Sequence, residues 1–274
     1  MGIFDDHFGE LGADICGLQE CKVLGETVVD REDLRFKYYF SGPPLGMKRE
    51  HGVGFAVRKK FSQAVKVHYV SARLMWAKVT FGVKILYVVV AYAPSQISPE
   101  AASQKRRDAF YISPDIVMAA IKNDAKCKGG TLPNVVILGD FNARVGIGVV
   151  GEDASYPIVG PCSSDTDAPT IAGDDLINFC SEHSFRIEDT FFAPGPSGSG
   201  TFIHANDRSQ QEGAAVDDAI ACEVFTNCID HILTRVAAGT FRSIKCGVPQ
   251  VEILEPLSNQ CSWFWQSNSW RQTH

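Results

Sequence analysis

The sequence predicts an α/β fold in which two packed β-sheets are flanked by helices. Short apolar runs bounded by turn residues recur along the chain, as strands do. Longer segments carry apolar residues at helical spacing. Of the 274 residues, 45% are hydrophobic and 21% are charged, which is typical of a globular chain that forms a core. Strands and helices in this order favour two packed sheets with outer helices.

The predicted strands are runs of apolar or alternating residues that end at Gly, Pro or polar positions. They lie at residues 14–18, 51–57, 65–69, 75–81, 83–93, 135–142, 185–192 and 228–234. A hairpin turn at Phe81 and Gly82 joins two of them. Residues 21–50 are polar and are predicted to be rich in loops, with Gly42, Pro43 and Pro44 as a firm break.

Three segments have helical patterning. Residues 3–11 place their apolar side chains on one face, and residues 174–183 do the same. Residues 98–125 form the longest helical segment, for which Ser103 is a plausible N-cap. The Gly-, Ser- and Asp-rich residues 146–173 are expected to form a long surface loop.

Composition excludes several classes of protein. A formal net charge of −6 argues against a polycationic binder of nucleic acid. The nine cysteines are odd in number and contain no C-x-x-C pair, which argues against a disulfide framework and a zinc site. The N-terminus lacks the pattern of a signal peptide, and the apolar run 83–93 is too short to span a bilayer. These features predict a soluble intracellular protein without a membrane segment.

The most informative motif is the apolar run 135–138 followed by Gly139, Asp140, Phe141 and Asn142. On an extended chain the carboxylate and the amide, two residues apart, point to the same side, and the phenylalanine points into the core. Gly139 allows a close approach to the backbone. Hard oxygen donors of this kind suit Mg²⁺ chemistry on phosphate esters. The alternative is a strand that ends in an ordinary capped turn.

Five motifs in this order resemble the endonuclease/exonuclease/phosphatase superfamily. They are Leu18-Gln19-Glu20, Gly52-Val53-Gly54-Phe55, Val90-Ala91-Tyr92-Ala93-Pro94, Gly139-Asp140-Phe141-Asn142 and Ile229-Asp230-His231-Ile232-Leu233. The sequences GDFNARVG, AYAPS, RRDAFY and IDHILT are most similar to the endonuclease domains of non-LTR retrotransposons and to craniofacial-development-protein-2-like chains. The resemblance covers about residues 10–236. It implies a four-layer α/β sandwich, two packed mixed β-sheets flanked by helices, and metal-dependent hydrolysis of a phosphodiester or phosphomonoester.

The resemblance also implies roles for individual residues. Glu20 matches the principal metal-binding carboxylate for Mg²⁺, with Mn²⁺ as an alternative ion. Asp140 matches the residue that orients or deprotonates the attacking water, and it is the second metal-binding candidate. Asn142 matches the amide that steadies the scissile phosphate. Tyr92 matches the active-site tyrosine, although a strand aromatic in the core is the alternative. Asp230 matches the carboxylate that orients the catalytic histidine.

Other polar residues near these motifs have simpler interpretations. Arg73 stands where the family often has an arginine after its second strand. His231 follows Asp230 directly, so its side chain faces the opposite side of a strand and is predicted to be a packing or surface histidine. His51 and His204 are predicted to be partly buried and hydrogen-bonded, and not to be metal ligands.

Two elements of the family pattern are not found in the sequence. The family usually has an initial strand ending in Trp-Asn and a final Ser-Asp-His followed by an apolar strand. We therefore expect a family domain over 1–245, an insertion at 206–227 and a divergent, irregular tail over 246–274. Loss of a group that stabilises transition-state charge typically lowers the rate by about two to three orders of magnitude, so activity is expected to be weak or absent.

The leading prediction is a Mg²⁺-dependent DNA endonuclease of the retrotransposon type, which would act in the nucleus. A catalytically inactive binding or scaffold descendant is an alternative, and so is a phosphatase that acts on a small phosphoester. The sequence indicates no protein partner.

Overall fold

The computed structural model describes residues 2–10, 12–95, 100–126, 132–147, 157–163, 168–191, 230–235 and 262–265. The predicted α/β class is confirmed as a four-layer sandwich, with two packed β-sheets and flanking helices. None of the described helices is long and apolar enough to cross a membrane.

The described residues form eleven strands and three α-helices. The strands are β1 Ile15–Leu18, β2 Glu26–Val29, β3 Phe36–Ser41, β4 Val53–Arg58, β5 Val65–Ser71, β6 Leu74–Phe81, β7 Lys84–Tyr92, β8 Val135–Asp140, β9 Arg186–Ile187, β10 Asp230–Arg235 and β11 Ser262–Trp265. The helices are α1 Gly2–Glu10, α2 Glu100–Ala125 and α3 Ile171–His183, and short 3-10 helices cover Lys59–Ala64 and Glu188–Phe191.

The strands are arranged in two sheets. The first has five strands in the order β11-β1-β4-β3-β2, and the second has six in the order β5-β6-β7-β8-β10-β9. Antiparallel pairing dominates, as in the long β6–β7 hairpin, where Leu74 pairs with Ala91 and Phe81 with Lys84. The predicted turn of this hairpin is confirmed, because Gly82 adopts a φ of 58° that suits a tight connection.

The chain divides into two compact units. The first comprises Met1–Ala93, Ala109–Gly139 and Thr234–His274, and the second comprises Pro94–Asp108 and Asp140–Leu233. Within the first unit the two sheets approach closely at Gly17, where a Cβ atom would lie 3.0 Å from Leu138 Cβ and 3.0 Å from Val90 Cγ2. The missing side chain therefore sets the distance between β1 and the facing sheet.

Helix α1 is attached to β3 by a buried carboxylate. Asp5 accepts hydrogen bonds from the backbone N–H groups of Arg35 (2.8 Å) and Phe36 (3.0 Å) and from the Tyr38 hydroxyl (3.2 Å). Phe8 packs edge-on against Phe36, with ring centroids 5.9 Å apart. The polar contact satisfies the backbone N–H groups at the start of β3, and the aromatic contact buries the apolar face of α1.

In the second unit, helix α3 has defined caps. The Thr170 side chain accepts a 3.1 Å hydrogen bond from the Gly173 N–H, and Ser184 ends the helix in a left-handed conformation with φ 56°. The predicted helix over 174–183 is confirmed and begins three residues earlier. Buried Arg107 forms a 2.7 Å ion pair with Asp175 of this helix.

Several predictions of local structure are wrong. Residues 21–50 contain β2 and β3, and β3 escapes detection because almost all of its residues are buried, so no polar alternation marks it. Ser103 is not an N-cap, since α2 begins at Glu100 and Ser103 lies buried inside it.

Two further predictions fail towards the C-terminus. The strand predicted over 185–192 is limited to β9, which gives way to the 3-10 helix Glu188–Phe191. The irregular tail predicted over 246–274 contains β11, which pairs antiparallel with β1. This pairing covers an edge that would otherwise present unpaired backbone groups. The predicted insertion at 206–227 lies outside the described residues.

Candidate active site

Two of the predicted site residues meet in the first unit. Strand β1 ends at Leu18 and delivers Glu20 two residues later, while β7 ends at Tyr92. The Tyr92 hydroxyl donates a 2.7 Å hydrogen bond to Glu20 Oε1. The tyrosine is 8% exposed and the carboxylate is half-buried. The tyrosine is therefore both a core aromatic and a polar partner of the candidate metal ligand.

The segment that carries Glu20 has a strained backbone. Glu20 has a φ of 52° and Lys22 a φ of 51°, in the left-handed region that most side chains avoid. Hydrogen bonds hold this conformation, since Cys21 N–H donates to Gly52 O (3.0 Å) and Lys22 N–H to His51 O (2.8 Å). Gly52 itself has a φ of 101°, which favours glycine. The position of Glu20 is thus determined by the chain that enters β4.

Arg73 joins the same group from the turn between β5 and β6. Its Nη1 donates to the carbonyl oxygens of Tyr92 (3.0 Å) and Ala93 (3.2 Å). Its Nη2 lies 3.0 Å from His51 Nδ1 and 3.1 Å from His51 Nε2. The guanidinium carbon also lies 4.8 Å from the centroid of the Tyr92 ring. The sequence pointed to this arginine only through the family resemblance, and the structure shows that it contacts Tyr92 and His51.

The contact between Arg73 and His51 constrains the histidine. A guanidinium can only donate hydrogen bonds, so the imidazole accepts through a nitrogen that carries no proton. His51 also has a φ of 67°, another left-handed position next to Glu20's strand end. The prediction that His51 is partly buried and hydrogen-bonded is confirmed.

The donors around Glu20 suit a hard cation. Carboxylate oxygens are preferred by Mg²⁺, whereas thiols are not. Burial raises the pKa of the neighbouring Cys21 thiol to about 12. Buried Gln19 donates from Nε2 to Leu138 O at 3.3 Å, and its Oε1 has no hydrogen-bond partner among the described residues. These oxygen donors therefore suit a hard metal ion such as Mg²⁺.

In the second unit, Asp140 is the last residue of β8. Its Oδ1 accepts a 2.9 Å hydrogen bond from the backbone N–H of Asn142. Asn142 has a φ of 49°, so the strand does not continue through it and the alternation argument does not place its side chain. Phe141 is 3% exposed, which confirms that it packs inward. The local structure is the capped turn that was the alternative interpretation, and it fixes the orientation of the carboxylate.

His231 and Asp189 support the chain that follows this turn. His231 Nδ1 lies 2.9 Å from Asp189 Oδ2, and His231 Nε2 lies 3.0 Å from the carbonyl oxygen of Ala143. Asp189 Oδ1 accepts a 2.9 Å hydrogen bond from Ile232 N–H. His231 is fully buried, so it is a packing histidine and not a surface one. No sequence signal identified Asp189.

The remaining predicted residues are only partly visible. The backbone of Asp230 begins β10, as the strand prediction required, but its side chain lies outside the described residues. His204 also lies outside them. Glu20 belongs to the first unit and Asp140 to the second, so a metal shared by the two carboxylates stays a prediction.

Comparisons with known proteins identify a matching family model and solved structures that share the fold. A family model described as the endonuclease/exonuclease/phosphatase family matches residues 3–253, which extends beyond the predicted boundary at 245. Comparison with curated protein sequences gives no significant match.

Solved structures share the fold at low sequence identity. AP endonuclease LMAP from Leishmania major has a TM-score of 0.55 and 11% identity, over 84% of this chain and 72% of that one. The 3′ phosphatase NExo from Neisseria, bound to product DNA hairpin, has a TM-score of 0.54 and 14% identity, over 97% and 93%. The endonuclease domain of TRAS1, a telomere-specific non-LTR retrotransposon, has a TM-score of 0.36 and 11% identity, over 72% and 66%. At these identities the first two likenesses show the fold alone.

Proposed function

Because the chain belongs to the endonuclease/exonuclease/phosphatase family, we propose that it is a metal-dependent phosphodiester hydrolase, an endonuclease of the retrotransposon type that cuts DNA in the nucleus. The observation that carries the proposal is the 2.7 Å hydrogen bond between Tyr92 and Glu20. It holds a carboxylate at the end of a core strand, beside the Arg73 guanidinium that packs on the same tyrosine ring. An oriented carboxylate beside a fixed positive charge suits the hydrolysis of a phosphate ester, in which negative charge develops on the phosphate oxygens.

The residues of the chain have separate roles in this proposal. Asp140, whose orientation is fixed by the Asn142 N–H, accepts a proton from the attacking water. The Asn142 amide donates a hydrogen bond to a phosphate oxygen. Tyr92 orients Glu20, and Asp230 matches the carboxylate that orients a catalytic histidine in this family.

Glu20 and Asp140 are the residues that would hold Mg²⁺ or Mn²⁺. When bound, such an ion neutralises negative charge that develops on phosphate oxygens. The fit rests on the hard oxygen donors that the two carboxylates offer.

The test compares nicking of supercoiled plasmid with Mg²⁺, with Mn²⁺ and with EDTA. The variants Glu20→Gln and Asp140→Asn keep the size of each side chain and remove its charge. Glu26→Gln is the matched control, since Glu26 is exposed on β2. We expect nicking that requires metal, is lost in both site variants and is retained in the control. Calorimetric titration with Mg²⁺ gives a second measurement, whose heat should disappear in Glu20→Gln.

A second substrate separates the alternatives. Because NExo is a 3′ phosphatase bound to a DNA hairpin, a hairpin that carries a 3′ phosphate belongs in the same assay. Phosphate release without nicking would replace the endonuclease by a phosphatase. A folded protein that binds Mg²⁺ but acts on neither substrate would instead be the inactive binding descendant. Nicking that persists in EDTA would contradict metal dependence.

A further inference from the structure

The loop at residues 43–50 connects β3 to β4 and holds apolar side chains in solvent. Leu45 is 82% exposed and Met47 is 63% exposed. Isolated exposed apolar residues are common, but here two of them flank a single glycine at the tip of a loop. Charged Lys48 and Arg49 follow them, and both are exposed. Residues 43–50 together are called the 43–50 loop.

The base of the 43–50 loop is fixed. The Gly25 N–H donates to Pro43 O at 2.7 Å, and the Gly42 N–H donates to Gly25 O at 2.9 Å. A Cβ atom on Gly42 would lie 2.0 Å from Val23 O, so a residue with a side chain would not fit here without a shift of the backbone. The loop therefore leaves the sheet in one direction and does not need to be ordered by a partner.

The tip of the 43–50 loop is a defined turn. The Met47 N–H donates to Pro44 O at 3.1 Å, and Gly46 between them has a φ of 89°, as the third position of a type II turn requires. Apart from Gly46 and its two chain neighbours, no atom of the described residues lies within 4 Å of the position that a Cβ on Gly46 would take. The turn thus presents Leu45 and Met47 outward, and their exposure is a property of the backbone.

The 43–50 loop continues into the candidate site. Its next residue is His51, whose ring contacts Arg73 and whose carbonyl accepts the Lys22 N–H at 2.8 Å. Exposed Lys22 adds a third cation to Lys48 and Arg49. In a chain with a net charge of −6, this concentration of positive charge beside the site favours a polyanionic partner. Glu50, 3.7 Å from Lys48, offsets only part of it, since exposed ion pairs are weak.

We propose that the 43–50 loop is a contact for duplex DNA, in which Leu45 and Met47 insert between base pairs while Lys48 and Arg49 bind the flanking phosphates. The proposal rests on the proposed action on DNA. Proteins that bend DNA insert Leu, Met or Pro wedges between base steps and repay the unstacking with contacts to the bent duplex. A rigid turn suits this role because it has little conformational freedom to lose on binding.

Binding is measured in EDTA, so that cleavage plays no part. The probe is a short duplex with 2-aminopurine at its centre, whose fluorescence rises when its neighbours unstack. The variant Leu45→Ser with Met47→Ser should weaken duplex binding about tenfold or more and remove the fluorescence rise, because the contacts that the inserted side chains make possible must more than offset an unstacking cost of about a few kcal/mol per step. Val83→Ser is the matched control, because Val83 is 99% exposed at the β6–β7 turn. It should bind like the unmodified chain.

The cations are tested separately. Lys48→Gln with Arg49→Gln should reduce the slope of log K against log salt by about 2, since each phosphate contact contributes about 0.9 to that slope. An unchanged slope, or serine variants that bind and unstack the duplex normally, would overturn the proposal. If the loop variants lose only their binding to vesicles of phosphatidylserine and phosphatidylcholine, the loop is a membrane contact and the proposal is wrong. If they lose only their self-association in sedimentation, the loop is a contact between copies of the chain and the proposal is also wrong.

Failure of this proposal is distinguishable from failure of the proposed function. Glu20→Gln should bind the duplex normally and fail only to nick. If the unmodified chain nicks DNA while the serine variants bind the probe normally, the nuclease stands and the loop assignment is wrong. If the loop variants lose duplex binding while neither the unmodified chain nor any variant nicks DNA, the loop assignment stands and the catalytic assignment is wrong.

Discussion

Tyr92 and Glu20 lie 72 residues apart in the chain, and the tyrosine hydroxyl donates a 2.7 Å hydrogen bond to the carboxylate. The bond connects the end of one sheet strand to the end of a strand in the facing sheet. Side chains that orient a metal-binding carboxylate typically influence affinity or activity about 10–100-fold. The Tyr92 hydroxyl therefore orients the carboxylate of Glu20, the candidate metal ligand.

Tyr92→Phe should lower kcat about 10–100-fold, because it removes the hydroxyl and keeps the ring. The Phe ring still packs under Arg73, so the free energy of unfolding should fall by only about 1 kcal/mol. Steady-state nicking rates and urea denaturation measure the two effects. Tyr39→Phe in β3 is the matched control, and it should leave kcat unchanged. A Tyr92→Phe variant with full activity would show that the hydroxyl has no role beyond the core.

Arg73→Lys should damage the site although the charge is kept. A lysine ammonium cannot contact the carbonyls of Tyr92 and Ala93 and the His51 ring together, because it lacks the planar fork of the guanidinium. We expect a stability loss of about 1–3 kcal/mol from acceptors left unsatisfied, with a lower kcat. Urea denaturation and nicking rates measure these changes. Exposed Arg106→Lys on α2 is the control, and equal behaviour of the two variants would contradict the special role of Arg73.

The buried pair His231–Asp189 should contribute to stability and to the position of the Asp140 turn. Asp189→Ala leaves a buried ring nitrogen and the Ile232 N–H without their partner, and removal of one member of a buried pair typically costs about 3–5 kcal/mol. Asp189→Asn is the matched variant. Its amide can donate to Nδ1 while its oxygen accepts the Ile232 N–H, so most of the stability should return.

Hydrogen exchange distinguishes positioning from general destabilisation in this pair. If His231 holds Ala143 in place, the Asn142 amide should exchange faster in Asp189→Ala than in Asp189→Asn, under conditions where both are folded. Equal protection of that amide would show that the pair stabilises the unit without holding the turn.

The sequence predicted the fold where strands had uniform character. Strands β7 and β8 contain uninterrupted apolar runs rich in Val and Ile, and their prediction needed no tertiary information. Strand β3 was missed because Phe36, Tyr38 and Tyr39 are all buried, which erases the alternation that marks a half-exposed strand. The aromatic content was the available signal.

The candidate site divides in the same way. The resemblance predicted Glu20 and Tyr92, whose contact the structure shows. It could not provide the Arg73–His51 contact, because the two residues are 22 positions apart and lie beside strands of different sheets, β4 and β6, so that they meet only when the sheets pack. The predicted strand does not reach Asn142, because the left-handed backbone of this residue follows the end of β8 at Asp140. Such positions depend on neighbouring backbone, which local patterns do not describe.

Stability at low pH should depend on Asp124 of helix α2. A 2.6 Å hydrogen bond from Lys78, and then one of 2.7 Å from the Tyr87 hydroxyl, hold the pKa of this carboxyl below its usual range. A depressed folded pKa means that the unfolded chain binds its proton first on acidification. The contribution is therefore fully present above the unfolded pKa of about 3.9, and it is lost as the pH falls through the lower folded value.

Asp124→Asn should remove that contribution at neutral pH and flatten the acid limb of the stability curve. The change is small, because partly exposed ion pairs typically contribute about 0.2–1 kcal/mol. Thermal or urea unfolding between about pH 2 and pH 7 measures it, since the unfolded pKa of about 3.9 lies inside this window and the folded pKa lies below that value. Exposed Glu32→Gln is the control and should leave the curve unchanged. If Asp124→Asn and the unmodified chain lose stability in parallel on acidification, the carboxylate does not connect α2 to the sheet through its charge.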